Sequence, residues 1–118
     1  MDKRDEVLLK KILEEAYVIA NLIEGYDCAL FVADGKTQRA VCMTLINIGE
    51  MVKLLSDGLK LSYTSIPWRP IAGLRDVAAH GYMTLRMEDI WETIDEDVPA
   101  MRERLHELLG GSINERKN

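Results

Sequence analysis

Between Arg4 and Glu24 the apolar residues Leu8, Ile12, Ala16, Ile19 and Ile23 recur at steps of three and four, while Lys10, Lys11, Glu14 and Glu15 fill the positions between them. That is the period of one face of an amphipathic helix, and Gly25 is placed to stop it. Tyr26 to Ala33 is a short mixed stretch with room for one or two helical turns, and Asp34-Gly35 reads as a turn. From Lys36 or Thr37 to about Leu59 the pattern is apolar almost all round, through Val41, Cys42, Met43, Leu45, Ile46, Ile48, Met51, Val52, Leu54 and Leu55. A helix of this kind is central to its domain or is covered by a second chain. Thr44, Asn47, Glu50 and Lys53 form a narrow polar seam along it at steps of three.

Ser62 to Trp68 reads as a loop, and Pro67 and Pro70 suit the beginning of the helix that follows. That helix is apolar at Ile71, Leu74, Val77 and Ala78, and Gly81 is expected just past its end in a left-handed conformation. A last helix starts near Met87 with Glu88, Asp89 and Glu92 in its first turns, where carboxylates favour the positive helix end. Its stripe of Ile90, Trp91, Ile94, Val98, Met101, Leu105 and Leu108 or Leu109 continues through Pro99, which predicts a kinked helix rather than two helices. Gly110-Gly111 ends the pattern. The predicted architecture is an all-α, up-and-down bundle of four main helices with one shorter element, a single domain over residues 1–109 followed by a disordered tail at 110–118.

With 118 residues the chain can stand on a single core. Cys28 and Cys42 are too few and too isolated for a zinc site or a disulfide framework, so they are read as reduced thiols in a cytoplasmic protein. The first residues, Met1 to Glu6, lead into an amphipathic pattern, and neither a signal peptide nor a membrane span is expected. The net charge is −5. Its distribution matters more than its sum. Residues 1–27 carry −3, 28–59 are neutral, 60–87 carry +3, 88–109 carry −6 and 110–118 carry +1. The basic segment is compatible with a local phosphate site on an otherwise acidic chain.

That segment contains Gly73-Leu74-Arg75-Asp76-Val77-Ala78-Ala79-His80-Gly81-Tyr82. Arg75 and His80 lie about 140° apart on an ideal helix, so they converge only if His80 sits at the helix end or a symmetric partner supplies a second pair. Arg75, Asp76, His80 and Tyr82 resemble the Arg-x-x-x-x-His-x-Tyr signature of the HEPN superfamily. Ile48-Gly49-Glu50, Ile66-Pro67-Trp68-Arg69 and Ile90-Trp91-Glu92, in order around it, resemble the HepT-like toxins that are paired with minimal nucleotidyltransferase antitoxins.

The resemblance implies a metal-independent endoribonuclease without cofactor. The separation of Arg75 and His80 on one helix, with the apolar surround of the central helix, predicts a two-fold homodimer with one shared cleft, whether or not dimers assemble further. Arg75 would hold phosphate oxygens with its planar fork, and His80 would carry protons near neutral pH. Asp76 would orient either side chain. The resemblance further implies that Tyr82 accepts adenylyl groups from the partner nucleotidyltransferase, which places a bulky anion beside the cleft and silences the toxin. Simpler readings stand beside these. His80 also fits as a helix C-terminal cap, and Tyr82 as a packing aromatic with a wet hydroxyl. Glu50 fits either an ion pair with Lys53 on its own helix or a polar contact to the motif helix, with Gly49 allowing the two helices to approach. Trp68 is read as a packing anchor and His106 as a solvated surface residue. The alternative to a ribonuclease is a non-catalytic helical module that docks with, or presents substrate to, a minimal nucleotidyltransferase.

Overall fold

The computed structural model describes residues 1–81 and 84–110, without the side chains of Leu74 and of residues 77–80. The described residues form seven α-helices, and no strand occurs among them. These are α1 (Lys3–Leu22), α2 (Cys28–Ala33), α3 (Gly35–Leu54), α4 (Asp57–Ser62), α5 (Trp68–Gly81), α6 (Met87–Glu92) and α7 (Val98–Leu108). A single π-turn, Thr93–Asp97, joins α6 to α7. The four-part bundle expected from the sequence is therefore present, with two short helices, α2 and α4, rather than one.

Most of the helix starts are written in the chain as side-chain acceptors for the first free backbone N–H groups. Asp2 accepts from the Arg4 amide at 2.8 Å, Asp27 from Leu30 at 2.8 Å, Asp34 from Thr37 at 3.2 Å, and the Ser56 hydroxyl from Leu59 at 3.3 Å. Asp34-Gly35 is accordingly a helix start, with Gly35 the first residue of α3, and not a free turn. Gly25, two residues past the cap of α1, has φ of +79°, the left-handed conformation that glycine adopts without a steric cost.

The helix predicted from Lys36 to Leu59 is broken. Leu55 leaves helical geometry with ψ of 147°, and Ser56 starts α4. The break is held from the far end of the sequence by Asp5, which is 3 % exposed in the first turn of α1. Its carboxylate accepts from the Ser56 amide at 3.0 Å and from the Ser56 hydroxyl at 2.6 Å. These bonds, the hydroxyl first, hold the Asp5 carboxyl below the usual carboxylate range. Apolar periodicity ran straight through the junction because Leu55 and Leu59 are both buried on either side of it.

α3 lies at the centre, packed on α1 and α5, while α7 covers the other side of α1. The core is made by Leu9, Ile12 and Ile19 of α1, Val41, Leu45 and Ile48 of α3, and residues contributed by every other main helix. The apolar surround of α3 is thus largely satisfied within the chain, although Met43 and Leu54 remain exposed.

The final stripe buries Ile90, Ile94, Val98, Met101, Leu105 and Leu109. A residue turns 100° on an α-helix, so this spacing would carry the stripe about 100° around the axis between Ile90 and Leu109. The π-turn, underwound to about 4.4 residues per turn, recovers roughly 90° of it. The turn is closed by the Val98 amide donating to the Thr93 carbonyl. It also relieves Pro99, whose missing N–H and ring are tolerated in the first turn of α7. The helix does continue through Pro99, as expected, and the π-turn is what allows it.

Trp68 begins α5 buried, with its indole N–H donating to the Tyr63 carbonyl at 3.0 Å. It is the packing anchor expected. At the other end, Gly81 is the last residue of α5 and does not have positive φ, contrary to the expected left-handed cap. The Thr84 hydroxyl donates to the Gly81 carbonyl at 2.8 Å, and a Cβ at Gly81 would lie 2.8 Å from that hydroxyl oxygen. A side chain here would have to displace the exposed Thr84 hydroxyl. The predicted tail, apart from Gly110, lies outside the described residues, as does Tyr82.

Candidate functional site

The contact between α3 and α5 is set by a missing side chain. A Cβ on Gly49 would stand 2.5 Å from the Arg75 Cβ and 3.3 Å from both the Arg75 amide nitrogen and the Ile71 carbonyl oxygen. Glycine therefore brings the two backbones together at Arg75, and the residue after it, Glu50, meets the guanidinium. Arg75 Nε donates to Glu50 Oε1 at 2.5 Å, and Nη1 donates to Asp76 Oδ1 at 2.8 Å. Lys53, one helical turn beyond Glu50, donates to both oxygens of Asp76 at 3.2 and 3.3 Å.

The result is a four-membered charge cluster that alternates in sign: Glu50, Arg75, Asp76, Lys53. The Glu50 contact, followed by that of Asp76, pushes the Arg75 pKa further up. Asp76 is held below the ordinary aspartate range chiefly by the hydrogen bond from Lys53 and then by that from Arg75. The side chains are one-third to one-half exposed, so the cluster is open to a ligand while fixed to its two helices. Among the described residues Nη2 of Arg75 makes no hydrogen bond, so the guanidinium keeps donors beyond its two carboxylate contacts.

Of the residues picked out in the sequence, the structure brings together Arg75, Asp76 and Glu50. The polar seam of α3 divides. Glu50 and Lys53 reach α5, but Asn47 donates to Glu15 of α1 at 3.4 Å and the Thr44 hydroxyl donates to the Ala40 carbonyl of its own helix at 2.8 Å. His80 lies on α5 next to its final residue; its side chain and Tyr82 are outside the described residues. Lys53 was legible as a member of the seam and as a candidate partner of Glu50 on its own helix, whereas its role as the counter-ion of Asp76 follows from the crossing that Gly49 permits.

His106 is not simply solvated. Its Nε2 is hydrogen-bonded to the Tyr17 hydroxyl of α1, the two rings meet edge-on at 5.6 Å, and Arg102 lies 5.1 Å over the Tyr17 ring. The shared period of α1 and α7 gave no hint of this pairing. Cys42 is buried, which raises its thiol pKa, and Cys28 is half-buried; both are free thiols. Among the described residues no three His, Cys, Asp or Glu side chains converge as metal ligands would, and no helix is long and apolar enough to cross a membrane.

Fold and site together define an all-α protein in which an arginine, clamped by carboxylates from two crossing helices, stands five residues ahead of a histidine. The family model described as "Ribonuclease HepT-like" matches residues 12–108. "Putative RNase TTE0752" of Caldanaerobacter subterraneus subsp. tengcongensis is 34% identical over 86% of this chain and 90% of its own length. "Probable ribonuclease HepT" of Thermococcus cleftensis is 33% identical over 84% of this chain and 94% of its own. "Putative RNase MJ0127" of Methanocaldococcus jannaschii is 33% identical over 100% of this chain and 98% of its own. The chain belongs to the HepT-like ribonuclease family. The endoribonuclease implied by the motif agrees with that membership. No solved structure gives a significant match.

Proposed function

We propose that the chain is a metal-independent endoribonuclease toxin, cleaving RNA in the cleft of a two-fold homodimer with Arg75 and His80, and neutralised when a partner nucleotidyltransferase adenylylates Tyr82. The observation that carries this reading is the clamping of Arg75. A free arginine on a helix surface samples many rotamers, whereas one held at Nε by Glu50 and at Nη1 by Asp76 keeps its guanidinium, with the donors left on Nη2, in a fixed place. That pre-organisation suits a group whose task is to bind phosphoryl oxygens as negative charge accumulates on them.

The reaction begins with attack of a ribose 2′-oxygen on the adjacent phosphorus. The 2′-hydroxyl loses its proton and the 5′-oxygen of the next nucleotide leaves with one. His80 is placed by the motif to accept the first proton or supply the second, and imidazole does both near neutral pH. Arg75 stabilises the phosphorane oxygens, and Glu50 and Asp76 keep it aligned. The dimer sets two such motif helices across the axis, so that Arg75 of one protomer and His80 of its partner can act on one phosphate.

The test uses purified protein of unmodified mass and its His80→Ala variant, each incubated with total RNA in EDTA and followed by end-group analysis. Cleavage that disappears in the variant is expected. Equal inactivity of both proteins favours the non-catalytic docking module instead. Sedimentation as a 13.4 kDa species at micromolar concentration would overturn the dimer.

A further inference from the structure

Between α4 and α5 lies a cavity of about 500 Å³ lined by Asp57, Lys60, Leu61, Trp68 and Arg69. Its size is that of a small-molecule site, and its lining combines an apolar floor with two cations. Leu61 is 77 % exposed and offers an open apolar surface in this lining. Arg69 has no hydrogen-bond or ion-pair partner among the described residues. Lys60 donates to the Val52 carbonyl at 3.4 Å and makes no salt bridge among the described residues, although its charge helps hold the buried Asp5 carboxyl down. Asp57, the one acidic group of the lining, is the first residue of α4, where a carboxylate favours the positive helix end.

The cavity and the Arg75 site share α5. Arg69 and Asp76 are seven residues apart and so fall within about 20° on the helix, separated by roughly 10 Å of rise. Between them lies Gly73, where an added Cβ would meet nothing within 4 Å, so that stretch of helix surface is bare and open. Lys53 closes the line at Asp76.

We propose that this cavity is a subsite for a nucleotide flanking the scissile phosphate of single-stranded RNA, with the phosphate held by Arg69 and Lys60 and the base seated on Leu61 and the rim of Trp68. The proposal rests on the ribonuclease reading for the position of the scissile phosphate. Flat bases and a regularly charged backbone are matched by alternating apolar and cationic contacts of this kind, without sequence readout. It also explains how an acidic chain whose Arg75 cluster is neutral in sum attracts a polyanion: Arg69, without an ion-pair partner among the described residues, stands one step along the same helix.

The test measures binding of a fluorescent 2′-O-methyl RNA oligonucleotide, which lacks the attacking hydroxyl and cannot be cut, over a range of salt concentrations, together with cleavage of the unmodified RNA. Arg69→Ala with Lys60→Ala should weaken binding and reduce the slope of log affinity against log salt by about 0.7 for each phosphate no longer neutralised. In cleavage the pair should raise KM several-fold while kcat changes little. Arg69→Lys should restore most of the slope, and Leu61→Ala should weaken binding without changing it. Lys36→Ala, which removes the same charge elsewhere, should leave the slope as in the wild type. Cleavage by the wild type with affinity and slope unchanged in the double variant overturns the subsite. Binding that depends on Arg69, without cleavage by the wild type, retains the cavity as an RNA-nucleotide site but overturns the ribonuclease reading and with it the placement beside a scissile phosphate; absence of both binding and cleavage overturns the two together.

Discussion

Substituting Gly49 and Gly73 separately with alanine puts the same methyl group on two helices, with opposite expected results. At Gly49 the new Cβ would start 2.5 Å from the Arg75 Cβ. Two such carbons rest about 3.5–4.0 Å apart, so α3 and α5 must separate by on the order of 1 Å or twist locally. Overpacking of this kind costs about 1–3 kcal/mol, while alanine in place of glycine returns up to about 1 kcal/mol in helix propensity. The net expectation for Gly49→Ala is a loss of about 1–2 kcal/mol. At Gly73 nothing lies within 4 Å of the new Cβ, and the propensity term stands alone as a gain of about 0.5–1 kcal/mol. With a urea dependence of about 1–3 kcal/mol per molar, the two midpoints should be separated by on the order of 1 M. The same 1 Å shift carries Arg75 away from Glu50, and displacements of that size cost up to about a hundredfold in rate. Urea melts of both variants, with cleavage assays of Gly49→Ala, test the argument. If Gly49→Ala proves as stable as Gly73→Ala and cleaves RNA like the wild type, the close crossing of α3 and α5 is not what places Arg75.

Three further expectations concern single carboxylates. Asp5→Ala removes the acceptor of two hydrogen bonds at the buried α3–α4 break, and should cost about 2–4 kcal/mol in urea melts, more than Ser56→Ala, which loses a helix cap and one of those bonds; equal effects would show that the cap alone matters. Asp34, bonded by the Tyr26 hydroxyl at 2.6 Å and the Thr37 hydroxyl at 2.7 Å, is lowered from 3.8 to about 2. Because its folded-state pKa is depressed, its stabilisation is complete above 3.8 and is lost as the pH falls towards about 2, so Asp34→Asn should flatten the acid side of the stability profile within that window; an unchanged acid limb would place the titration elsewhere. Glu50→Gln should leave urea stability close to wild type, since the pair is partly exposed, yet slow RNA cleavage by roughly ten- to a hundredfold through loss of Arg75 alignment; wild-type kinetics would make Glu50 a bystander.

The helical layers were legible because periodicity reports burial, and in this chain burial is helical throughout. α1, α5 and the α6–α7 stripe needed nothing else. Periodicity failed at Leu55-Ser56 because the break lies between two buried leucines, and the sequence cue that was present, Ser56 followed by Asp57 and Gly58, marks a cap only when weighed against the apolar run. Asp5 looked like one more carboxylate in an acidic first turn; its burial depends on a partner 51 positions away. At the site, Gly49-Glu50 signalled a close crossing, and the crossing is there. The pairing of Lys53 with Asp76, and of Tyr17 with His106, depends on rotation between helices, which no pattern along a single helix encodes.

The π-turn at Thr93–Asp97 holds one residue more than the buried stripe needs to stay in phase. Deleting any one of these five residues would let the turn close as ordinary α-helix, four residues turning about 400° where five turn about 410°, and leave Met101 and Leu105 facing as they do now to within about 10°. The same deletion within α7 would carry every buried residue beyond it about 100° around the axis. Length is therefore free to shrink by one position at the π-turn, whereas elsewhere within this helix a gain or loss of one position must be matched by a second change that resets the phase.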